Sequence, residues 1–255
     1  MFLIDTHAHL DSIADIDGAL ARAAEAGVTA VVAVGEDRKA NRKNLELSER
    51  VSEPKIILAM GVHPGSVDPQ TIDEEIGFIE EHAGRLSAVG EIGLDFWYKW
   101  VRKDQEKKDA QRAAYRRLLV LAKDRGLPAV IHTRGAWREA FEIAKELGIV
   151  KAVFHWYSGP VDVLEEILGQ GYFISASPSV AYSPESRRAL EIAPVEQTLI
   201  ETDSPVYYKH CDDGFQAEPK DVFCTLKHYA ILKQRGAQEM AKILNRNAQT
   251  LFRIE

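Results

Sequence analysis

Short apolar runs and longer amphipathic stretches alternate along the whole chain. β-Branched and apolar runs mark strands at 2–7, 28–34, 55–62, 86–92, 128–133, 151–156, 172–176 and 197–203. Between them a helical period recurs at 17–26, 39–51, 72–83, 103–125 and 136–147, and two more helical segments, about 219–233 and 236–251, follow the last strand. Over 103–125, Ala110, Ala114, Leu118, Leu121 and Ala122 share one face while Lys107, Lys108, Arg112 and Arg116 lie off it, so that face packs on a sheet. Gly27, Gly126, Gly148 and Gly171 stand where a helix must stop ahead of the next strand. Strict alternation with nearly apolar strands predicts a parallel sheet covered by helices. A count of eight selects a closed (β/α)8 TIM barrel, in the α/β class, over an open doubly wound sheet. No repeat, low-complexity tract or linker divides the sequence, and residues 1–255 read as one domain.

In such a barrel the active face lies at the C-terminal ends of the strands, so the place of each polar residue along its strand is informative. Five of the eight histidines, His7, His9, His63, His132 and His155, fall at or just beyond a strand end. Glu91 ends the fourth strand and Asp203 the eighth. A lone histidine in such a place is usually a hydrogen-bonded structural residue; seven convergent groups change that balance. His7 and His9 are two apart, so their side chains leave the same face. Imidazole with carboxylate suits Zn²⁺, Mn²⁺, Ni²⁺ or Fe²⁺, and more oxygen-rich sites admit Mg²⁺. Four histidines and two carboxylates exceed the needs of one tetrahedral ion and suit two ions sharing a carboxylate, for which Glu91 on a central strand is the natural bridge.

Other polar groups divide between chemistry and structure. His63 in GVHPG either orients a substrate or ligand, or shapes the turn that Pro64 and Gly65 already make. Asp5 and Glu201 share the parity of His7 and Asp203 and read as groups behind the ligands. HCDD at 210–213 reads as a solvated loop. Gly90 and Gly93 lack the spacing of a phosphate-binding fingerprint, and no Ser or Cys nucleophile motif occurs. Cys211 and Cys224 are too few and too far apart in sequence for a disulfide framework or a thiolate metal site, and read as free thiols.

A net charge of −7 argues against broad basic patches for duplex DNA, so any nucleic-acid contact must be local. One segment fits that demand: residues 96–125 carry ten Lys or Arg against four Asp or Glu, leaving −13 for the remainder. Within it FWYKWVRK interleaves rings with Lys99, Arg102 and Lys103, a mixture suited to stacking bases and following phosphates. Trp97, Tyr98 and Lys99 are therefore substrate candidates, alongside Arg134, placed after His132 to hold a phosphate oxygen. The competing account is that the rings cap the barrel mouth as core. No stretch approaches the roughly 18 apolar residues of a membrane span, and Asp5 and His7 interrupt the first apolar run. A soluble, cytoplasmic protein without membrane contact is the expectation.

DTHAHLD, GVHP, VGEIGLDF, PAVIHTR, FHWYSG, ETDSP and the terminal NRNAQTLF occur in the order and spacing of a known family: the chain resembles the TatD metal-dependent hydrolases, a branch of the amidohydrolase-like barrels. The resemblance implies that His7, His9, Glu91 and Asp203 hold one divalent ion and Glu91, His132 and His155 a second. It further implies Mg²⁺-stimulated nuclease activity favouring single-stranded DNA ends, with Mn²⁺ or Zn²⁺ as other metals. The expected reaction is in-line attack on a phosphodiester by a water activated between two metal ions, with Asp203 positioning that water or taking its proton. The alternative is hydrolysis of an ester or amide such as a D-aminoacyl-tRNA ester. A binding protein with a degenerate site is disfavoured because every expected ligand is present, and no obligate protein partner is inferred. One departure stands out: where relatives carry NEP, this chain has Ala217 before Glu218 and Pro219.

Overall fold

The computed structural model describes residues 1–211 and 213–254. Eight parallel strands run in sequence order around a nearly closed barrel: β1 Leu3–Ala8, β2 Val28–Val34, β3 Lys55–Met60, β4 Ala88–Asp95, β5 Ala129–Arg134, β6 Ala152–Phe154, β7 Phe173–Ala176 and β8 Thr198–Ile200. The helices are α1 Ile16–Ala26, α2 Arg38–Arg50, α3 Ile72–Glu81, α4 Gln105–Asp124, α5 Trp137–Glu146, α6 Val161–Gly169, α7 Pro184–Ile192, α8 Val222–Lys233 and α9 Ala237–Phe252. A two-residue pair, β9 Tyr207–Tyr208 with β10 Phe215–Gln216, lies in the loop before α8. The four joint glycines adopt positive φ, as at Gly27, whose φ of 102° a side chain would strain while its amide closes α1 onto Ala23 and Ala24.

Two hydrophobic layers hold the barrel. Ile4, Ala30, Val32, Val34, Ile57, Ala59, Val130, Val153 and Leu199 pack together inside it, where Ala248, Leu251 and Phe252 of α9 join them. The alternate positions, such as Val31, Leu58, Ile131 and Phe154, pack outward against helical residues such as Leu118, Leu119 and Phe141.

Parity alone does not aim the polar residues. Counting by two from Ile4 or from Ala88 sends His7 and Glu91 outward. Register shifts in β1 between Asp5 and Ala8, and in β4 between Val89 and Ile92, each reset the alternation by one residue. Bulges of this kind turn a side chain to the other face, and here they bring both groups inside. They also separate Asp5 from the parity of His7. The barrel closes between β1 and the chain after β8, where Asp203 N donates to the His7 carbonyl at 2.9 Å and His9 N to the Ser204 carbonyl at 2.8 Å.

Candidate metal centre

β8 ends at Ile200, three residues earlier than the sequence suggests, and Asp203 sits in the following loop with φ of 49°. Its backbone bond to β1 sets the carboxylate against the first two histidines. His7 Nε2 is 3.5 Å from both Glu91 Oε2 and Asp203 Oδ1; His9 Nε2 is 3.5 Å from Glu91 Oε2 and 3.2 Å from Asp203 Oδ1. Separations of this size match the edges, about 3.4 Å, of a tetrahedron of N and O ligands about 2.1 Å from an ion. His7 Nε2, Glu91 Oε2 and Asp203 Oδ1 are buried and have no hydrogen-bond partner among the described residues. Buried polar atoms left in that condition are costly unless something else satisfies them, and a cation fits these four donors.

The other oxygen of Glu91 faces a second set. Glu91 Oε1 lies 2.8 Å from His132 Nδ1 and 2.7 Å from His155 Nε2, and those two nitrogens are 3.2 Å apart. Each of these imidazoles is backed by a carboxylate on its far nitrogen: His132 Nε2 by Asp95 Oδ2 at 3.0 Å, and His155 Nδ1 by Glu201 Oε1 at 3.4 Å. That arrangement fixes ring orientation and raises donor basicity.

Burial and charge oppose one another throughout. Burial pulls the His9 imidazole down, but the Asp203 and Glu91 carboxylates outweigh it and bring it up to about 9. Burial pushes Asp203 up, yet His9, 3.2 Å from its Oδ1, and the neighbouring imidazoles hold it at about 2. Glu91, surrounded by His155, His63 and His7, stays far below the usual carboxylate range despite complete burial. His155 and His132 are raised by their carboxylate partners against the pull of burial. The mouth thus pairs ionised carboxylates with imidazoles they hold protonated, and a cation binding there takes the place of those protons.

Of the remaining candidates, His63 sits in its turn and beside the second donor set. Its Nδ1 accepts from Gly65 N at 2.9 Å, shaping the turn, while its ring meets His132 at 4.5 Å between centroids. Burial lowers it to about 3, so it stays neutral. Asp5 does not back an imidazole: it accepts from Thr202 N at 2.9 Å and Thr202 Oγ1 at 2.6 Å, and so ties β1 to the loop bearing Asp203. Trp97, Tyr98 and Arg134 line a cavity of about 860 Å³ over the centre; Lys99 is exposed and does not, because the chain turns it away to solvent. Arg134 lies over the Tyr98 ring at 4.9 Å and shares Asp95 with His132 at 2.9 Å. Trp137 and Trp156 also line the cavity, whereas Trp100 stacks behind Tyr98 at 5.3 Å. Glu218, in the departure from NEP, bonds Arg22 Nη2 at 2.7 Å on α1, and Ala217 is buried.

Two residues escaped the sequence reading. Asp95 ends β4, and Glu36 follows β2 by two residues, lines the cavity and reaches His9 and Glu91 within 4.8 Å. The strand-end rule that found the histidines applies equally to both. A third finding lies outside the mouth: Cys211 and Cys224 meet at 3.4 Å between sulfurs, despite their separation in sequence, and Cys211 is buried instead of solvated. Asp212 of the HCDD run lies outside the described residues.

Comparison with known proteins agrees with this geometry. The family model described as TatD related DNase matches residues 4–253. A metal-dependent hydrolase of Bacillus subtilis, YabD, is 32% identical over 99% of this chain and 99% of its own. The human deoxyribonuclease TATDN3 is 31% identical over 98% of this chain and 94% of its own. Among solved structures, the Escherichia coli TatD homologue YJJV superposes with a TM-score of 0.87 at 25% identity, covering 99% of this chain and 98% of that one.

Proposed function

The chain belongs to the TatD-related DNase family, and from that premise we propose that it is a divalent-metal-dependent phosphodiesterase that degrades DNA from single-stranded ends. The observation that carries this reading is Glu91, whose two oxygens each face a separate donor set at ion-binding spacing. His7, His9, Asp203 and Glu91 would hold one ion; Glu91, His132 and His155 the other. Bound there, two ions supply Lewis-acid stabilisation of phosphate charge and activation of water.

The side chains do the rest. Arg134 has five N–H donors and gives only part of them to Asp95, leaving others for a phosphate oxygen. Trp97, exposed at the cavity wall, supplies a face on which an unpaired base stacks, favouring single strands over duplex, while Tyr98, covered by Trp100 and Arg134, holds the Arg134 guanidinium in place. Asp203, held at about 2, orients the attacking water and passes its proton on. Glu36, whose carboxyl burial lifts above its ordinary value, is the group on the same mouth suited to keep that proton.

Single-stranded DNA labelled at either end, incubated with the metal-loaded enzyme, should release labelled mononucleotide early from one end only. Asp203→Asn should abolish turnover and leave the fold intact. Faster cleavage of an aminoacyl ester than of any oligonucleotide, or wild-type-like activity in Asp203→Asn, would overturn the substrate or the role respectively.

A further inference from the structure

The loop that follows β8 runs from 201 to 221, and among its described residues the regular structure amounts to the two-residue β9–β10 pair and one 3-10 turn at Pro219–Asp221. Excursions of this length without secondary structure of their own usually need something to order them. The local core is small: Tyr208, Cys211 and Ala217 are buried, with Trp156, Ala181, Val206, Phe215 and Cys224 packed around them.

Within that core three soft donors converge. Cys211 comes from the loop, and Cys224 and His228 stand four residues apart on α8, so they present their side chains on one helix face. One ligand atom from each of the three lies within 4.8 Å of the others. The sulfurs, at 3.4 Å, are far beyond the roughly 2.05 Å of a disulfide. They stand near the distance, about 3.8 Å, separating two thiolates bound to one tetrahedral zinc at about 2.3 Å each.

We propose that Cys211, Cys224 and His228 form a zinc site that fastens the β8–α8 loop to α8, separate from the centre in the barrel mouth. Two thiolates and an imidazole select Zn²⁺ over Mg²⁺ and supply three of the four ligands a tetrahedral ion needs. Binding releases the two thiol protons to solvent. The loop so fastened forms part of the substrate wall: Pro205 and Val206 line the cavity, and Tyr208 packs on Trp156 at 5.6 Å. The site therefore acts on the shape of the cavity and takes no part in bond cleavage.

Cobalt distinguishes the two centres, because the donors assembled in the mouth contain no sulfur. Reduced, metal-stripped protein reloaded with Co²⁺ should show the near-ultraviolet thiolate-to-cobalt charge-transfer band. Cys224→Ser should lose that band and one equivalent of cobalt, keep the ions of the mouth, and become more sensitive to protease between residues 209 and 214. Should Cys224→Ser fail to fold, alkylation of wild-type cysteines decides the matter, since Zn²⁺ should block it and Mg²⁺ should not. Absence of the band in the loaded wild type, its survival in folded Cys224→Ser, alkylation indifferent to Zn²⁺, or a Cys211–Cys224 disulfide in protein prepared without oxygen would each overturn the proposal.

Discussion

The two sides of Glu91 are built differently. On one, His7, His9 and Asp203 stand 3.2 to 3.5 Å from their counterparts, with buried atoms that have no hydrogen-bond partner among the described residues. On the other, His132 hydrogen-bonds Glu91 Oε1 at 2.8 Å and His155 Nε2 at 3.2 Å, His155 Nε2 lies 2.7 Å from the same oxygen, and each imidazole is backed by a further carboxylate. The first side is a cage whose spacing and charge are right for a cation, with two carboxylates among its donors. The second is a satisfied polar network in which a cation must take the place of bridging protons, with only the shared carboxylate facing it. The first ion should accordingly bind more tightly than the second, and metal titration should resolve two affinity classes.

The largest effect comes from the residue common to both sides. Glu91→Gln removes the only negative charge shared by the two donor sets and leaves a buried amide among imidazoles. Several kcal/mol of charge stabilisation lost corresponds to a fall of about 10³-fold or more in kcat/KM. Metal analysis of the folded variant should show both classes weakened. Loss of one class alone would mean that Glu91 serves a single ion.

A smaller change tests the second side by itself. Asp95→Asn keeps the shape behind His132 but removes the charge that orients its ring and holds Arg134. Loss of such a backing group typically costs about 10- to 100-fold in metal affinity. The weaker class should shift by that amount in a titration followed by calorimetry, and the tighter class should stay in place. Equal shifts in both would show that the two sides are one electrostatic unit and not two sites.

How much of this was readable in the sequence depends on what fixes each contact. The barrel and part of its mouth were legible because strand ends are fixed by a repeating architecture: once eight strands are counted, His132 and His155 must gather at one mouth. The bulges in β1 and β4 were not legible, since nothing in LIDTHA or AVGEIG distinguishes a shifted register from a regular one. Asp5 shows the consequence, assigned by parity to the imidazoles and found bonding Thr202 instead. Lys99 shows another: composition reported a basic, aromatic segment, but which of its members faces the cavity is decided by how the chain turns after β4. The pairing of Cys211 with Cys224 depends on a loop path set by tertiary packing and by Tyr208, Val206 and Phe215, which no periodicity encodes.

The smallest expected effect for a single step, about tenfold per pH unit, concerns protons, and it probes the first side most directly. His9, raised to about 9 by Asp203 and Glu91 against the pull of burial, carries a proton at neutral pH. An ion can use its nitrogen only after that proton leaves. Affinity for the first ion should therefore rise with pH, by about tenfold per unit, and level off near 9. The neighbouring His7, lowered by burial, adds no proton to this count, and neither does neutral His63. In Asp203→Asn the nearer carboxylate that lifts His9 is gone, and the rise should flatten nearer the ordinary histidine value of about 6.5. Metal-binding isotherms from pH 6 to 9 for the two proteins measure this difference in slope. An equally steep rise in both would place the displaced proton on His132 or His155, across Glu91, and the two sides would then differ in spacing but not in charge.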